Sequence, residues 1–264
     1  MDIRETGDFT ADIQRHFWET ARLEFVKKLI CISGKIPQTI IDIGCGDAFV
    51  LQSLAQYLPE TAFTGIDTAL TDEMICRINQ RAVNCKNISL YRKMPERKEQ
   101  NIDMILLLDV LEHIENEEDF LRSLHNVMHP GSKIIITVPA FQKLFTDHDR
   151  FLKHFRRYNR KSLLNVLENS GFQVSYSGYI FCSLLPFRVM QKLLRIKSSG
   201  RDNLRAGNKF LNRIAGIILK IDAAVTFYLS CRKIYIPGLS CFAVAELKSR
   251  ADYHPSFSGR SPGV

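Results

Sequence analysis

Apolar positions along this chain follow two periods in turn, one typical of strands and one typical of helices. Short apolar runs of strand length alternate with longer segments in which apolar residues recur at helical spacing. The runs that predict strands lie at Thr39–Ile43, Ala62–Ile66, Ile88–Tyr91, Ile102–Leu108, Lys133–Val138, Phe172–Ile180 and Ser240–Lys248. This alternation predicts an α/β fold with a doubly wound, seven-stranded and mostly parallel sheet.

Helical spacing predicts one helix before the first strand and others between the later strands. The segments are Asp12–Ile30, Phe49–Leu58, Leu70–Ala82, Glu115–Met128 and Asn159–Ser170. Asn159 is a residue type that caps helix N-termini, and Gly171 stands just past the end of the same segment. Helices are therefore expected on both faces of the sheet.

Basic residues are concentrated in one part of the chain. The whole chain has a formal charge of +8, but residues 181–239 alone contain eleven Lys and Arg and two Asp, a balance of +9. We therefore divide the chain into a helical cap (1–38), an α/β domain (39–180 with 240–249), a basic amphipathic helical insertion before the last strand (181–239) and a tail (250–264). The tail is rich in Ser, Pro, Gly and Arg, a composition that predicts disorder.

Cysteine usage and the first residues indicate the compartment. Seven cysteines are scattered through the sequence without a pair at the spacing of a zinc site or a redox motif. This pattern predicts reduced thiols, no metal site and a cytoplasmic location. Met1-Asp2-Ile3-Arg4-Glu5 is polar, so a secretory signal is not expected.

Asp42-Ile43-Gly44-Cys45-Gly46 joins the first strand to the next helix and has the form of a ligand-binding turn. Its glycines let the backbone pass close to a ligand. A dinucleotide fingerprint needs a third glycine where Phe49 stands. Asp42 would repel a pyrophosphate but can bind an ammonium group, and Asp67 can accept hydrogen bonds from a ribose. A cationic, ribose-bearing ligand therefore fits this turn better than NAD does. A dehydrogenase that binds NAD is our third interpretation, after the two given below.

Three further motifs follow this turn in order: Gly65-Ile66-Asp67, Ile102–Ile114 and Pro130-Gly131-Ser132. With the turn, they resemble the motifs of class I S-adenosylmethionine-dependent methyltransferases over about Thr39–Ile180 and again from Ser240. The resemblance implies a Rossmann-like methyltransferase fold, with S-adenosylmethionine as cofactor and S-adenosylhomocysteine as product. The residues that it places at the cofactor are Asp42, Gly44, Cys45, Gly46, Asp67, Thr68, Asp109 and Val110.

The segment after the fifth strand, Pro139–Tyr158, leaves the sheet at the edge where ligands bind in open α/β folds. It is long and aromatic, and it contains His148 and His154 among acids and arginines. A histidine near its ordinary pKa of about 6.5 can take the proton of an acceptor hydroxyl. We predict His148 as the first candidate base, oriented by Asp147 or Asp149, and His154 as the second. The alternative is a surface loop whose histidines and arginines pair with acids.

These features predict an S-adenosylmethionine-dependent methyltransferase that methylates a hydroxyl of a small, lipid-like or glycan-linked acceptor. The turn, the ordered motifs and the histidine-containing segment together support that interpretation. The alternative from another class is a catalytically inactive module that binds S-adenosylmethionine in a membrane-associated complex.

The basic insertion contains two apolar stripes at helical spacing, within Pro186–Lys197 and Leu211–Leu229. Were Ile214–Cys231 to cross a bilayer, Lys220 and Asp222 would each cost about 2.5–3.5 kcal/mol, which cancels an apolar gain of roughly 2–5 kcal/mol. We therefore expect the insertion to lie on an anionic membrane, at the inner face, or to cap the acceptor site. Nucleic acid is not an expected partner, because few aromatic residues are interleaved with the charges.

Overall fold

The computed structural model describes residues 17–81, 85–95, 102–194 and 209–248. Its strands are β1 Thr39–Ile43, β2 Ala62–Ile66, β3 Ile88–Tyr91, β4 Ile102–Leu108, β5 Met128–Pro139, β6 Phe172–Ile180 and β7 Ser240–Leu247. They form one sheet in the order β3-β2-β1-β4-β5-β7-β6. Only β7 is antiparallel to its neighbours, β5 and β6, so the predicted seven-stranded, mostly parallel sheet is confirmed.

Helices connect the strands as the spacing predicts. Those described are α1 Phe17–Ile32, α2 Phe49–Tyr57, α3 Asp72–Arg81, α4 Glu117–Ser123, α5 Asp147–Phe151, α6 Arg160–Asn169, α7 Leu185–Leu193 and α8 Lys209–Cys231. Asn159 caps α6 by accepting a hydrogen bond from the backbone N–H of Ser162, as predicted. The predicted helix start at Asp12, the middle of the insertion and the predicted tail lie outside the described residues.

The connection between β4 and β5 differs from the prediction. The helix predicted over Glu115–Met128 is shorter, because α4 ends at Ser123 and a 3-10 turn follows. β5 begins at Met128, five residues earlier than predicted. The buried Ser132 hydroxyl accepts the His129 N–H at 2.8 Å and donates to the Ile102 carbonyl at 2.6 Å. These bonds hold the Pro130-Gly131 turn beside β4, so the strand continues through a sequence that looks like a loop.

The sheet separates two apolar layers, which explains the continuous apolar runs of the central strands. Ile40 and Leu106 belong to one layer, together with residues of α1, α2 and α8. Ile41 and Ile105 belong to the other, together with residues of α4 and α6. Alternate residues of a buried parallel strand point to opposite faces, and here both faces are covered. The carboxyl ends of β1, β2 and β4 are left at one edge of this sandwich.

One side of the long helix α8 packs against the rest of the protein. Leu219, Ala223 and Thr226 are buried on the side that contacts α1 and β6. Asp222 accepts hydrogen bonds from the backbone N–H groups of Cys182 at 3.1 Å and Ser183 at 2.6 Å. One side of the helix is therefore attached to the sheet and to the start of α7.

Candidate active site

Backbone N–H groups of the turn after β1 donate hydrogen bonds to the end of β2 and to the side chain of Asp67. The Gly44 N–H donates to the Ile66 carbonyl at 2.7 Å, and the Gly46 N–H donates to Asp67 Oδ2 at 3.0 Å. Gly44 has φ +77°, and a Cβ on it would lie 2.6 Å from Val110 Cγ2. Neither the backbone angle nor the space at Gly44 admits a side chain. The turn is thus packed directly against the residue that follows Asp109.

Asp42 is a buried acid at the end of β1. Its side chain is 2% exposed, and Oδ1 accepts no hydrogen bond within the described part of the chain. Burial raises the pKa of Asp42 from 3.8 to about 7. A buried carboxylate that lacks donors is costly, and a cationic ligand would supply the missing positive charge.

Asp109 forms the second acidic corner of the site, at the end of β4. It has φ +58°, and its Oδ1 accepts a hydrogen bond from Thr137 Oγ1 at 3.1 Å. Its Oδ2 is paired with the buried guanidinium of Arg22, which also lies 4.8 Å from the Trp18 ring centre. The ion pair joins α1 to the edge of the sheet beside the glycine turn.

A second cluster is built around Asp149, whose side chain is fully buried. Its carboxylate accepts hydrogen bonds from His154 Nδ1 at 3.0 Å, from Arg157 at 2.7 and 3.0 Å, and from the Thr146 N–H and hydroxyl at 2.7 and 2.9 Å. Although burial acts to raise the pKa of Asp149, the hydrogen bonds from His154 and Arg157 hold it well below its usual value. Asp149 is therefore an ionised acceptor in a buried position.

Local backbone structure brings His154 back onto Asp149. Thr146 and Asp149 form a capping box at the start of α5, which ends at Phe151. Lys153 then adopts φ +61°, and the His154 N–H donates to the Asp149 carbonyl at 2.9 Å. This reversal places both the backbone and the ring of His154 against the same acid.

The His154 cluster lies against the turn that follows β4. The Phe155 N–H donates to the Glu112 carbonyl at 2.8 Å, and the rings of His113 and His154 meet edge to face at 4.5 Å. Glu112 is 1% exposed, and burial together with the charge of Asp109 raises its pKa well above the usual value. The acids at the cofactor turn and the Asp149–His154 pair thus belong to one continuous site.

The structure gives His154 a buried acid as its partner. Asp147 forms an ion pair with Arg150, and Asp149 binds His154 and Arg157. His148 lies in the short helix α5.

Arg156 and Arg157, which follow His154, have neighbouring acids as partners. Arg156 pairs with Glu117 and Arg157 with Asp149, which matches the alternative in which they hold acids of the protein. Glu112 and His113 were not among the predicted site residues, although both lie within the motif Ile102–Ile114.

The other predicted cofactor residues surround the glycine turn. Cys45 is buried beneath the turn, and burial raises the pKa of its thiol, so it is an inert packing group. Thr68 is exposed in the turn after β2, next to Asp67. The other carboxylate oxygen of Asp67, Oδ1, accepts a hydrogen bond from the Ala69 N–H at 2.9 Å. Ala48, at the end of the glycine turn, has φ +60°.

A family model described as a methyltransferase domain matches residues 12–177, which is more than half of the chain. The match covers the glycine turn, the motif after β4 and the His154 cluster. The chain belongs to the class I S-adenosylmethionine-dependent methyltransferases. The resemblance drawn from the sequence motifs is thereby confirmed, and S-adenosylmethionine is the cofactor.

Individual relatives of this methyltransferase are distant. Ubiquinone biosynthesis O-methyltransferase of Pseudomonas paraeruginosa is 25% identical over 120 residues, 44% of this chain and 49% of the relative. N-methyltransferase 4 of Papaver somniferum is 25% identical over 115 residues, 42% of this chain and 32% of the relative. The chain therefore spans half of these curated relatives or less.

Solved structures share the fold. The N-methyltransferase NodS of Bradyrhizobium japonicum WM9, in complex with S-adenosyl-L-homocysteine, has a TM-score of 0.51 and 18% identity to this methyltransferase. The alignment covers 66% of this chain and 85% of NodS. At this identity, the likeness establishes the fold alone.

The described residues of the methyltransferase fit S-adenosylmethionine. Asp42 offers a buried carboxylate with an unsatisfied oxygen to the cationic methionine half, and Gly44 leaves room where a Cβ would collide. Asp67 is half-buried at the end of β2, and carboxylate oxygens can accept the two hydroxyls of a ribose. Asp109 and Val110 lie directly beside the turn. The chemistry of this set matches a cation with a ribose and no phosphate.

Cofactor affinity should depend on pH through Asp42. A cation prefers the ionised carboxylate, which is present above a pKa of about 7 and lost as the pH falls through it. We expect S-adenosylhomocysteine to bind about tenfold more tightly at pH 8 than at pH 6, measured by isothermal titration calorimetry. Asp42→Asn should bind weakly at both pH values. A wild-type affinity that stays constant over this range would contradict the assigned role of Asp42.

In the ligand-free protein, Asp42 should have the opposite effect, because its contribution to the free energy of unfolding falls as the pH rises. A carboxyl whose pKa is raised by folding stabilises the fold below its unfolded pKa, and this contribution is lost as the pH rises through the folded value. Wild type should therefore lose free energy of unfolding relative to Asp42→Asn between about pH 4 and the folded pKa of about 7. Urea unfolding at several pH values would measure the difference.

Glu112, His113 and His154 also form a group that is compact enough for one cation. One potential ligand atom from each lies within 4.8 Å of the other two. The sequence predicted no metal site. A carboxyl kept protonated by burial is a poor metal ligand, because ligation needs the ionised form. Chelation should therefore leave turnover unchanged, and a loss that a divalent cation restores would assign this group to a metal.

Proposed function

We propose that this methyltransferase transfers a methyl group to a hydroxyl of a small, lipid-like or glycan-linked acceptor, with His154 as the general base. The observation that carries the proposal is the Asp149–His154 pair, which packs against the turn that follows β4. Its carboxylate is buried and ionised, and its histidine is packed on His113, which follows the end of β4. This arrangement is the one expected of an oriented proton acceptor.

The protonation of His154 follows from its partner. An ionised carboxylate accepts hydrogen bonds but donates none, so Nδ1 of His154 carries the proton that Asp149 receives. Nε2 is then left with a lone pair for the acceptor hydroxyl. When bound, S-adenosylmethionine would supply a methyl group from its sulfonium sulfur, and the electron pair of the broken carbon–sulfur bond would leave with S-adenosylhomocysteine. His154 takes the hydroxyl proton at Nε2 as the acceptor oxygen forms its new bond to carbon, and Asp149 stabilises the imidazolium that results.

A hydroxyl acceptor uses this pair better than an amine acceptor does. A hydroxyl is a weak nucleophile until its proton is removed, and the gain from a positioned base is typically about 10²–10⁴-fold. Arg157 and Thr146 occupy the remaining acceptor sites of Asp149, so the acid is held for His154 and is not free to bind a cationic amine. Among the distant relatives, one acts as an O-methyltransferase and one as an N-methyltransferase, so the bond formed must be measured.

The test of the proposal is to identify the methylated atom. Purified protein, S-adenosylmethionine with a ¹³C-labelled methyl group, and separate lipid and water-soluble extracts would be incubated and analysed by mass spectrometry and ¹³C NMR. We expect new species heavier by one ¹³C-labelled methylene unit, with the carbon shift of a methyl ether. A labelled N-methyl, C-methyl or methyl ester carbon would contradict the hydroxyl acceptor. Cofactor binding without any conversion to S-adenosylhomocysteine would favour the inactive binding module.

A further inference from the structure

An exposed apolar stripe runs along the side of α8 that faces away from the sheet. Its members recur at helical spacing and are each between 39% and 59% exposed: Ile214, Ile217, Ile218, Ile221, Val225 and Tyr228. Side chains at this spacing lie on one face of a helix. The opposite face is buried on the protein, so α8 is amphipathic with an apolar face left uncovered in the described structure.

Cations border this apolar stripe. Arg213 and Lys220 are seven residues apart, hence on one line beside the stripe, and Arg232 and Lys233 follow its end. All four are exposed. The one acid of α8, Asp222, is turned to the backbone of Cys182 and Ser183. An uncovered apolar face with a cationic border and no exposed acid is complementary to an anionic, apolar surface.

A shorter amphipathic helix, α7, adjoins the candidate active site. Phe187, Met190 and Leu193 are exposed at helical spacing. On the other side, the Arg188 pKa is lowered by burial and by the charge of Arg157, the residue that binds Asp149. Lys192 donates a hydrogen bond to the Lys143 carbonyl in the segment that precedes α5. α7 thus exposes apolar side chains to solvent on one side and adjoins the His154 cluster on the other.

We propose that α7 and α8 bind the surface of an anionic lipid bilayer and lie in its plane. Within α8, Asn212–Cys231 has the length of a membrane span and a mean hydropathy of 1.7. However, one side of α8 packs on α1 and β6 and is hydrogen-bonded to the turn before α7. A second copy of the chain fits less well, because a two-fold contact would bring the cationic borders of two α8 helices together. Surface binding does not depend on the role proposed for His154.

The test is flotation of the full chain with lipid vesicles. At low ionic strength, the protein should bind phosphatidylcholine vesicles that contain one third phosphatidylglycerol and should not bind pure phosphatidylcholine, and salt should release it. Arg213→Gln/Lys220→Gln should weaken binding about 30-fold. Ile217→Ser/Ile221→Ser should weaken it about tenfold or more, also at low salt.

Control variants lie outside α7 and α8. Arg77→Gln/Lys86→Gln removes the same charge from exposed positions near β3, and Ile36→Ser removes an equally exposed apolar side chain. Both controls should bind as wild type does. Equal losses in controls and test variants would overturn the proposal, as would no binding to the anionic vesicles. Resistance to extraction with alkaline carbonate would instead indicate a span, and a dimer lost in Ile217→Ser/Ile221→Ser without vesicle binding would indicate a second copy.

Discussion

Replacing His154 by alanine should lower kcat by about 10²–10⁴-fold, because the acceptor hydroxyl loses the group that takes its proton. The affinity for S-adenosylhomocysteine should change by less than about threefold, since His154 contacts Asp149 and His113 and not the glycine turn. Single-turnover kinetics with saturating cofactor would separate the chemical step from binding.

His148→Ala is the matched control on the same segment. His148 lies in α5, and the buried acid of this segment is bound to His154, so the substitution should change kcat by less than about tenfold. A large loss in His148→Ala with near wild-type turnover in His154→Ala would restore the order that the sequence alone indicated. Equal losses in both variants with intact folding would show that neither acts alone.

Replacing Gly44 by alanine should weaken cofactor binding by about 100-fold or more. A methyl at this position would lie 2.6 Å from Val110 Cγ2, and the backbone has φ +77°. The positive φ costs on the order of 1–2 kcal/mol and the overpacking about 1–3 kcal/mol. Both effects would distort the turn that contacts the cofactor. Calorimetric titration with S-adenosylhomocysteine would measure the loss.

Two further variants separate the collision from the backbone strain. Gly44→Ala/Val110→Ala removes the colliding methyl and should recover part of the affinity, with the cost of the positive φ remaining. Gly131→Ala also has a positive φ, +92°, but its nearest neighbour would be Glu246 Oε1 at 3.9 Å. It should lose stability without losing affinity. Normal cofactor binding by Gly44→Ala would show that the turn does not approach the ligand.

Most strands could be predicted from the sequence, since β1, β2, β3, β4 and β6 occur at the predicted residues. For β4 the physical reason is burial, because a strand covered on both faces is a nearly continuous apolar run. The start of β5 could not be predicted, since it depends on Ser132 bonding across to Ile102. A hydroxyl that bonds to a distant carbonyl leaves no periodic signal in the sequence.

The grouping of the predicted cofactor residues could be inferred from the sequence because it is local. Asp42, Gly44 and Gly46 are close together in one turn. Asp67 follows the neighbouring strand β2 and accepts a hydrogen bond from the Gly46 N–H. The pairing of Asp149 with His154 was not accessible. It depends on Lys153 adopting φ +61°, a conformation for which lysine has no particular preference. Proximity in sequence favoured His148, and the backbone reversal favours His154.

The crystal structure of this methyltransferase with S-adenosylhomocysteine and a hydroxyl acceptor would test the account most directly. The account predicts the ribose hydroxyls on Asp67 and the ammonium group at the Asp42 end of the turn. The acceptor oxygen should lie between the cofactor sulfur and Nε2 of His154, within about 2.6–3.2 Å of that nitrogen. An acceptor oxygen on the far side of the sulfur from His154, or a cofactor that leaves Asp42 without a partner, would contradict it.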